Sequence, residues 1–160
     1  MSLKCVVIVV ITVLFSINIL NFGTVFFTLQ GDGKSLRFSE AVLSRLCHRM
    51  PSRSFWICEV PVGLCSRCTG VYLSAFLSMM LLSVKPSALP IPQLRVAVFL
   101  LVVLPIDGLL EHLGTYSGTN EVRFSTGVLF GVGLTSLQAC LCHRFRNETK
   151  SITEVCNEDL

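Results

Sequence analysis

Apolar residues along this chain fall into four blocks separated by polar stretches. The first, Cys5–Leu29, holds no charged side chain. Crossing the hydrocarbon core of a bilayer takes about 20 apolar residues in a helix. A secretory signal has a shorter apolar stretch, about 7–15 residues, ahead of a small-residue cleavage site. No such site follows here, so the first block reads as a retained helix. The second begins between Leu64 and Thr69 and stops at Val84, before Lys85-Pro86. The third is Val96–Leu113 and the fourth Phe124–Cys142. The pattern predicts an all-α integral membrane bundle of about four transmembrane helices, near 5–29, 66–84, 96–113 and 124–142. They form a single membrane domain, 1–143, followed by a charged, flexible tail over 144–160.

The connections differ in character. Gly31–Gly63 is long, polar and Cys-rich, and Ser39–Arg49 within it has the spacing of a short interfacial helix, with Phe38, Ala41, Val42 and Leu46 to one side. Lys85–Arg95 is short and Pro-rich, and Gly114–Asn120 reads as a turn with Asn120 as N-cap of the last helix. Gly127, Gly131 and Gly133 give a G-x-x-x-G spacing that lets another helix approach closely, and Gly108 offers the same on the third helix.

Composition agrees with lipid as the solvent. Hydrophobic residues make up 52% of the chain and charged residues 14%, with a mean hydropathy of +0.70, whereas a soluble domain carries about 25% charged residues. The net charge of +3 is modest and lacks the concentrated basic face that nucleic acid requires. Eight cysteines are many, but apolar surface is too abundant for a small disulfide scaffold. The bilayer is the expected partner, in a bacterial inner or plasma membrane.

Each spanning helix reverses the chain, and this brings the unusual polar residues to one face. Cys47, His48, Arg49, Arg53, Cys58, Cys65, Arg67 and Cys68 fall on the side of the first loop. The third helix ends there with Asp107, Glu111 and His112, and the fourth begins there with Asn120 and Arg123. Asp107 and Glu111 are four apart and share a helix face. An intramembrane carboxylate is costly and turns toward a partner, with Arg67 and Arg123 the candidates. Asp107 and Arg67 are the expected catalytic pair if the site does chemistry, and a structural ion pair is the alternative. Glu111, nearer the interface, is expected to stay hydrated.

Cys65-Ser-Arg-Cys68 is a C-x-x-C leading into a helix. Its spacing lets two thiolates take adjacent metal positions, or lets one thiol attack and the other resolve. Cys47-His48 lies upstream on the same loop, so Cys47, His48, Cys65 and Cys68 make a candidate Cys₃His set for zinc or another thiophilic metal ion. Cys5, Cys140 and Cys142 read as core or lipid-facing hydrophobes. Arg49, Arg53 and Arg123, with Asn120, can clamp the phosphate or carboxylate of an anionic small molecule or lipid headgroup.

Two runs carry a resemblance: Cys47-His48-Arg49-Met50-Pro51-Ser52-Arg53-Ser54-Phe55 with Leu64-Cys65-Ser66-Arg67-Cys68-Thr69-Gly70-Val71-Tyr72, and Leu104-Pro105-Ile106-Asp107-Gly108 with Thr119-Asn120-x-x-Arg123-x-x-Thr126-Gly127. They resemble the uncharacterised family of small bacterial and archaeal membrane proteins called domain of unknown function 2085, from about Leu46 to Gly133. The resemblance implies a multi-pass membrane protein and no particular activity. Glu111 stands where that family's pattern has Gln, Gly118 where it has Ser, and Cys58 falls outside it. Four functional readings follow. The ligand types favour a metal site at one membrane face. The alternatives are a thiol–disulfide oxidoreductase using Cys65 and Cys68, an Arg-lined anion site, and a non-catalytic membrane scaffold.

Overall fold

The computed structural model describes residues 3–84 and 94–158, with side chains for 5–84 and 94–142. Most of the Lys85–Arg95 connection and the side chains of the 144–160 segment therefore lie outside the described residues. Helix α1 spans Leu3–Gln30, α2 Gly33–Leu43, α3 Ser66–Val84, α4 Leu94–His112 and α5 Asn120–Glu158. The only strands among the described residues are a short antiparallel pair between α2 and α3, β1 (Trp56–Ile57) and β2 (Val60–Pro61). The molecule is all-α, as its hydropathy pattern predicts.

Local chemistry sets the helix ends. Gly31, at φ 71°, closes α1 in a left-handed cap, with the Asp32 N–H donating to the Phe27 carbonyl at 3.0 Å. Asp32 at once caps α2, its carboxylate accepting from the Lys34 and Ser35 N–H groups. The interfacial helix therefore begins and ends about six residues earlier than the apolar spacing of 39–49 suggests. At the start of α5 the cap is Thr119, whose hydroxyl accepts from the Val122 N–H at 3.4 Å, rather than Asn120. Helix α5 also continues to Glu158, through the segment expected to be a flexible tail.

The helices pack in the order α1, α3, α5, α4. The α3–α5 pairing is the most extensive, α4 lies on α5, and α1 packs on α3 and α2. Small residues make the α3–α5 crossing tight. A side chain at Gly70 would meet the Phe124 carbonyl, one at Gly127 the Arg67 carbonyl, and one at Gly131 Ser74 and the Val71 carbonyl. Gly133 instead faces Leu100 and Ala97 of α4. Gly108 has nothing within 4 Å, so no helix approaches there.

The distribution of polarity is that of a membrane bundle. Large apolar side chains such as Ile8, Val13, Phe26, Phe99 and Leu109 point outward, while Asn18, Asn21, Thr24, Ser74, Ser78, Thr135 and Ser136 are buried between helices. Lipid is as apolar as leucine, so helices in a bilayer associate through close packing of small residues and hydrogen bonds. Among the described residues, three helices are long and apolar enough to cross a membrane: Cys5–Gln30, Ser66–Val84 and Asn120–Cys142. Helix α4 has the 19-residue length of α3 but carries Arg95, Asp107 and Glu111.

Candidate metal centre

Cys65 and Cys68 lie at the start of α3, and α1 fixes that start. The buried Asn21 side chain accepts from the Leu64 N–H at 2.7 Å and donates to the Thr69 hydroxyl at 3.3 Å, while its carbonyl accepts from the Gly63 N–H at 3.2 Å. Gly63 passes so close that a Cβ would come 2.6 Å from Leu43 and 2.9 Å from Thr24. Asn21, a side-chain carboxamide inside an otherwise apolar run, is the sequence signal for this tie.

Cys47 arrives from the end of α2, its N–H donating to the Leu43 carbonyl at 3.0 Å. Arg49 holds the loop beyond it. Its Nε donates to the Gly63 carbonyl at 2.9 Å and its Nη2 to Glu40 of α2 at 2.9 Å. Its backbone adopts φ 49°, uncommon outside glycine, and this conformation presents the Arg49 N–H to the Cys47 sulfur at 3.5 Å. Arg49 thus braces the cysteine loop through Glu40 and the Gly63 carbonyl.

The Sγ atoms of Cys47, Cys65 and Cys68 all lie within 4.8 Å of one another. Contacts from Cys65 and Cys68 and the Arg49 N–H hold the Cys47 thiol far below the usual thiol range, at about 2, against the opposing effect of burial. Cys65 shifts the opposite way, chiefly through its contact with Cys47. His48 is exposed and falls outside the group. Cys58 is exposed at the tip of the hairpin, where it and Glu59 take the positive φ values, 50° and 64°, of a two-residue type I′ turn.

Beside the thiols lies an ion cluster. Arg67 donates from Nε and Nη2 to Asp107 at 2.9 and 2.6 Å, and from Nη2 to Glu111 at 2.5 Å. Arg123 grips Glu111 with a two-pronged fork, 2.7 and 3.2 Å, and donates to Asn120 at 3.0 Å. Arg53 approaches Glu111 at 3.3 Å, and the Thr126 hydroxyl donates to Asp107 at 3.3 Å. Glu111 is only 8% exposed, like Asp107 at 7%, which corrects the expectation that it stays hydrated. The Asn120 amide, donating to the Ser54 carbonyl at 3.1 Å, ties the cysteine loop to the start of α5 next to Arg53, the third guanidinium at Glu111. Asp107 takes Arg67 but not Arg123.

A cavity of about 360 Å³ joins the two groups. Its lining includes Cys47, His48, Cys65 and Cys68, the arginines Arg53, Arg67 and Arg123, and the apolar Val71, Leu104 and Phe130.

Residues 47–137, from the first cysteine of the triad into α5, match the family described as Predicted membrane protein (DUF2085). The chain belongs to this family. It is 36% identical over 98 residues, 61% of this chain and 88% of the relative, to an uncharacterised protein of Methanothermobacter thermautotrophicus. It is 33% identical over 93 residues, 57% of this chain and 60% of the relative, to an uncharacterised protein of Methanocaldococcus jannaschii. No solved structure matches. The family match takes in the thiols and the ion cluster, while two of their braces, Asn21 and Glu40, lie ahead of it.

Proposed function

We propose that this membrane protein holds a thiophilic metal ion, zinc or a metal of similar softness, on Cys47, Cys65 and Cys68 at one membrane face. The observation that carries the reading is the convergence of three sulfurs from two separated chain segments to within 4.8 Å. Lone structural cysteines have no reason to converge, whereas a tetrahedral or trigonal metal site requires it. The Arg49 N–H aimed at the Cys47 sulfur supports the reading, since such donors stabilise a bound thiolate. All three cysteines line the cavity, so a further ligand reaches the ion from there. The relatives come from archaea, and a prokaryotic plasma membrane is the proposed setting.

Metal analysis of the detergent-purified chain tests this. About one thiophilic ion per chain is expected. Cys47→Ser, Cys65→Ser and Cys68→Ser should each lose most of it, and double replacement should add little, because ligands of one ion act as a unit. A second reading draws on the C-x-x-C at the start of α3, which suits thiol–disulfide exchange. Purified protein without stoichiometric metal and with a Cys65–Cys68 disulfide would replace the first reading with the second.

A further inference from the structure

The arginines beside the thiols are not equally committed. Arg123 uses Nε, Nη1 and Nη2 on Glu111 and Asn120. Arg49 is neutralised by Glu40. In contrast, Arg67 leaves Nη1, and Arg53 leaves Nε and Nη1, without an acceptor among the described residues. Both line the cavity that the three thiols line. Arg53, Arg67 and Arg123 face only two carboxylates there, Asp107 and Glu111, so one positive charge is left over.

We propose that the cavity binds a small oxyanion, a carboxylate or phosphate group, which bridges the thiol-held metal ion and the Arg53–Arg67 edge. The inference rests on the metal reading and names the ligand that completes that site. A divalent ion on three thiolates carries one net negative charge, which cancels the surplus positive charge over distance. Net attraction therefore does not hold the anion. Two short-range effects do: the anion replaces water at the coordination position open toward the cavity, and it accepts from guanidinium groups that no other acceptor occupies. Val71, Leu104 and Phe130 share the lining, and apolar walls lower the local dielectric and strengthen both. A volume of about 360 Å³ admits a small metabolite or one lipid headgroup, but not a whole two-chain lipid.

Cobalt(II) makes the test visible, because its absorption bands report on coordination. The full chain in detergent is loaded with cobalt, its metal content is measured, and inorganic phosphate or acetate is then titrated in. A saturable band shift is expected. Arg53→Gln should keep its cobalt but need about tenfold more anion, the scale of one lost charge-assisted hydrogen bond. Arg53→Lys should fall between, keeping charge without the fork. Micelles of short-chain phosphatidylglycerol identify the source. A shift at lower concentration than phosphate assigns a lipid headgroup, the reverse assigns a free anion, and either supports the shared chemistry. Bound cobalt whose bands no anion moves would overturn the proposal, as would an Arg53→Gln variant that titrates like the parent. Failure to bind cobalt shows before any anion is added and removes the metal reading together with this one.

Discussion

At the scale of single residues, Glu111 rather than Asp107 is the centre of the ion cluster. Glu111 faces Arg53, Arg67 and Arg123, whereas Asp107 faces Arg67 and the Thr126 hydroxyl. Glu111→Gln would leave Arg123, 9% exposed, with only the neutral Asn120 amide. Breaking a buried pair by removing one member costs about 3–5 kcal/mol. Asp107→Asn leaves Arg67 paired with Glu111, and the loss should stay near 1–3 kcal/mol, the scale of an under-satisfied polar group. Thermal unfolding in detergent should therefore rank Glu111→Gln as the more damaging, with Glu111→Gln plus Arg123→Gln recovering part of the loss. A larger drop for Asp107→Asn would show that the Arg67–Asp107 pair carries the cluster. Spacing and chain reversal made the convergence of cysteines, arginines and carboxylates legible in the sequence. The hub was not, because Glu111 gains its third guanidinium, that of Arg53, across the Asn120–Ser54 tie between the cysteine loop and α5, which no spacing announces.

Among the elements, the α3–α5 crossing links packing to the site, since α3 carries Cys68 and Arg67 and α5 carries Arg123. A methyl group at Gly131 would strike Ser74 and the Val71 carbonyl, so neither helix can yield by moving only a flexible side chain. Gly131→Ala should cost about 1–3 kcal/mol, as overpacking does, and should also loosen metal binding by displacing α3. Gly108→Ala is the control: with nothing within 4 Å of that site, it should leave unfolding and metal content unchanged. Equal behaviour of the two variants would mean that the crossing does not govern the site. The Gly127–Gly131 spacing announced a close approach in the sequence, though not its partner. The hairpin gave no such notice. Its turn residues, Cys58 and Glu59, lack the Asn-Gly chemistry that marks a type I′ turn, and they adopt positive φ because the flanking strands, paired Trp56 to Pro61 and Ile57 to Val60, demand it. Helix α5 runs on through its charged C-terminal residues, because charge alone does not end a helix that lacks a glycine or proline stop.

For the whole molecule, the remaining matter is how often the chain crosses the membrane. Helices α1, α3 and α5 meet the length and composition of a span, and α4 differs by its charges alone. Those charges do not prevent a crossing. Asp107 and Glu111 occupy the last turns of α4, and their guanidinium partners come from the first turns of α3 and α5, so neither carboxylate meets lipid unpaired. Direction follows from α5: it meets α4 at Thr126–Asp107 and again at Gly133 against Leu100 and Ala97, and meets α3 at Gly127–Arg67 and Gly131–Ser74, so α4 runs antiparallel to α3, each 19 residues or about 28 Å long at 1.5 Å per residue. If α3 spans the bilayer, α4 spans it too. Four crossings would place the two chain ends on one side and the thiols on the other. Among the cations of the site's side, Arg49, Arg53, Arg67 and Arg123 are bound to carboxylates, which leaves Lys34, Arg37 and Arg45. By sequence, Lys4, Lys85, Arg95, Arg144, Arg146 and Lys150 belong to the segments of the opposite side, and that larger number predicts that the chain ends face the cytoplasm. Reporter fusions at both ends should therefore both read cytoplasmic, and an impermeant thiol reagent added to intact cells should label Cys58 at the hairpin tip. Reporters on opposite sides would mean three crossings. In that case α4 would lie along the membrane rather than through it, and the ion pairs that join its last turns to α3 could not form as the structure has them.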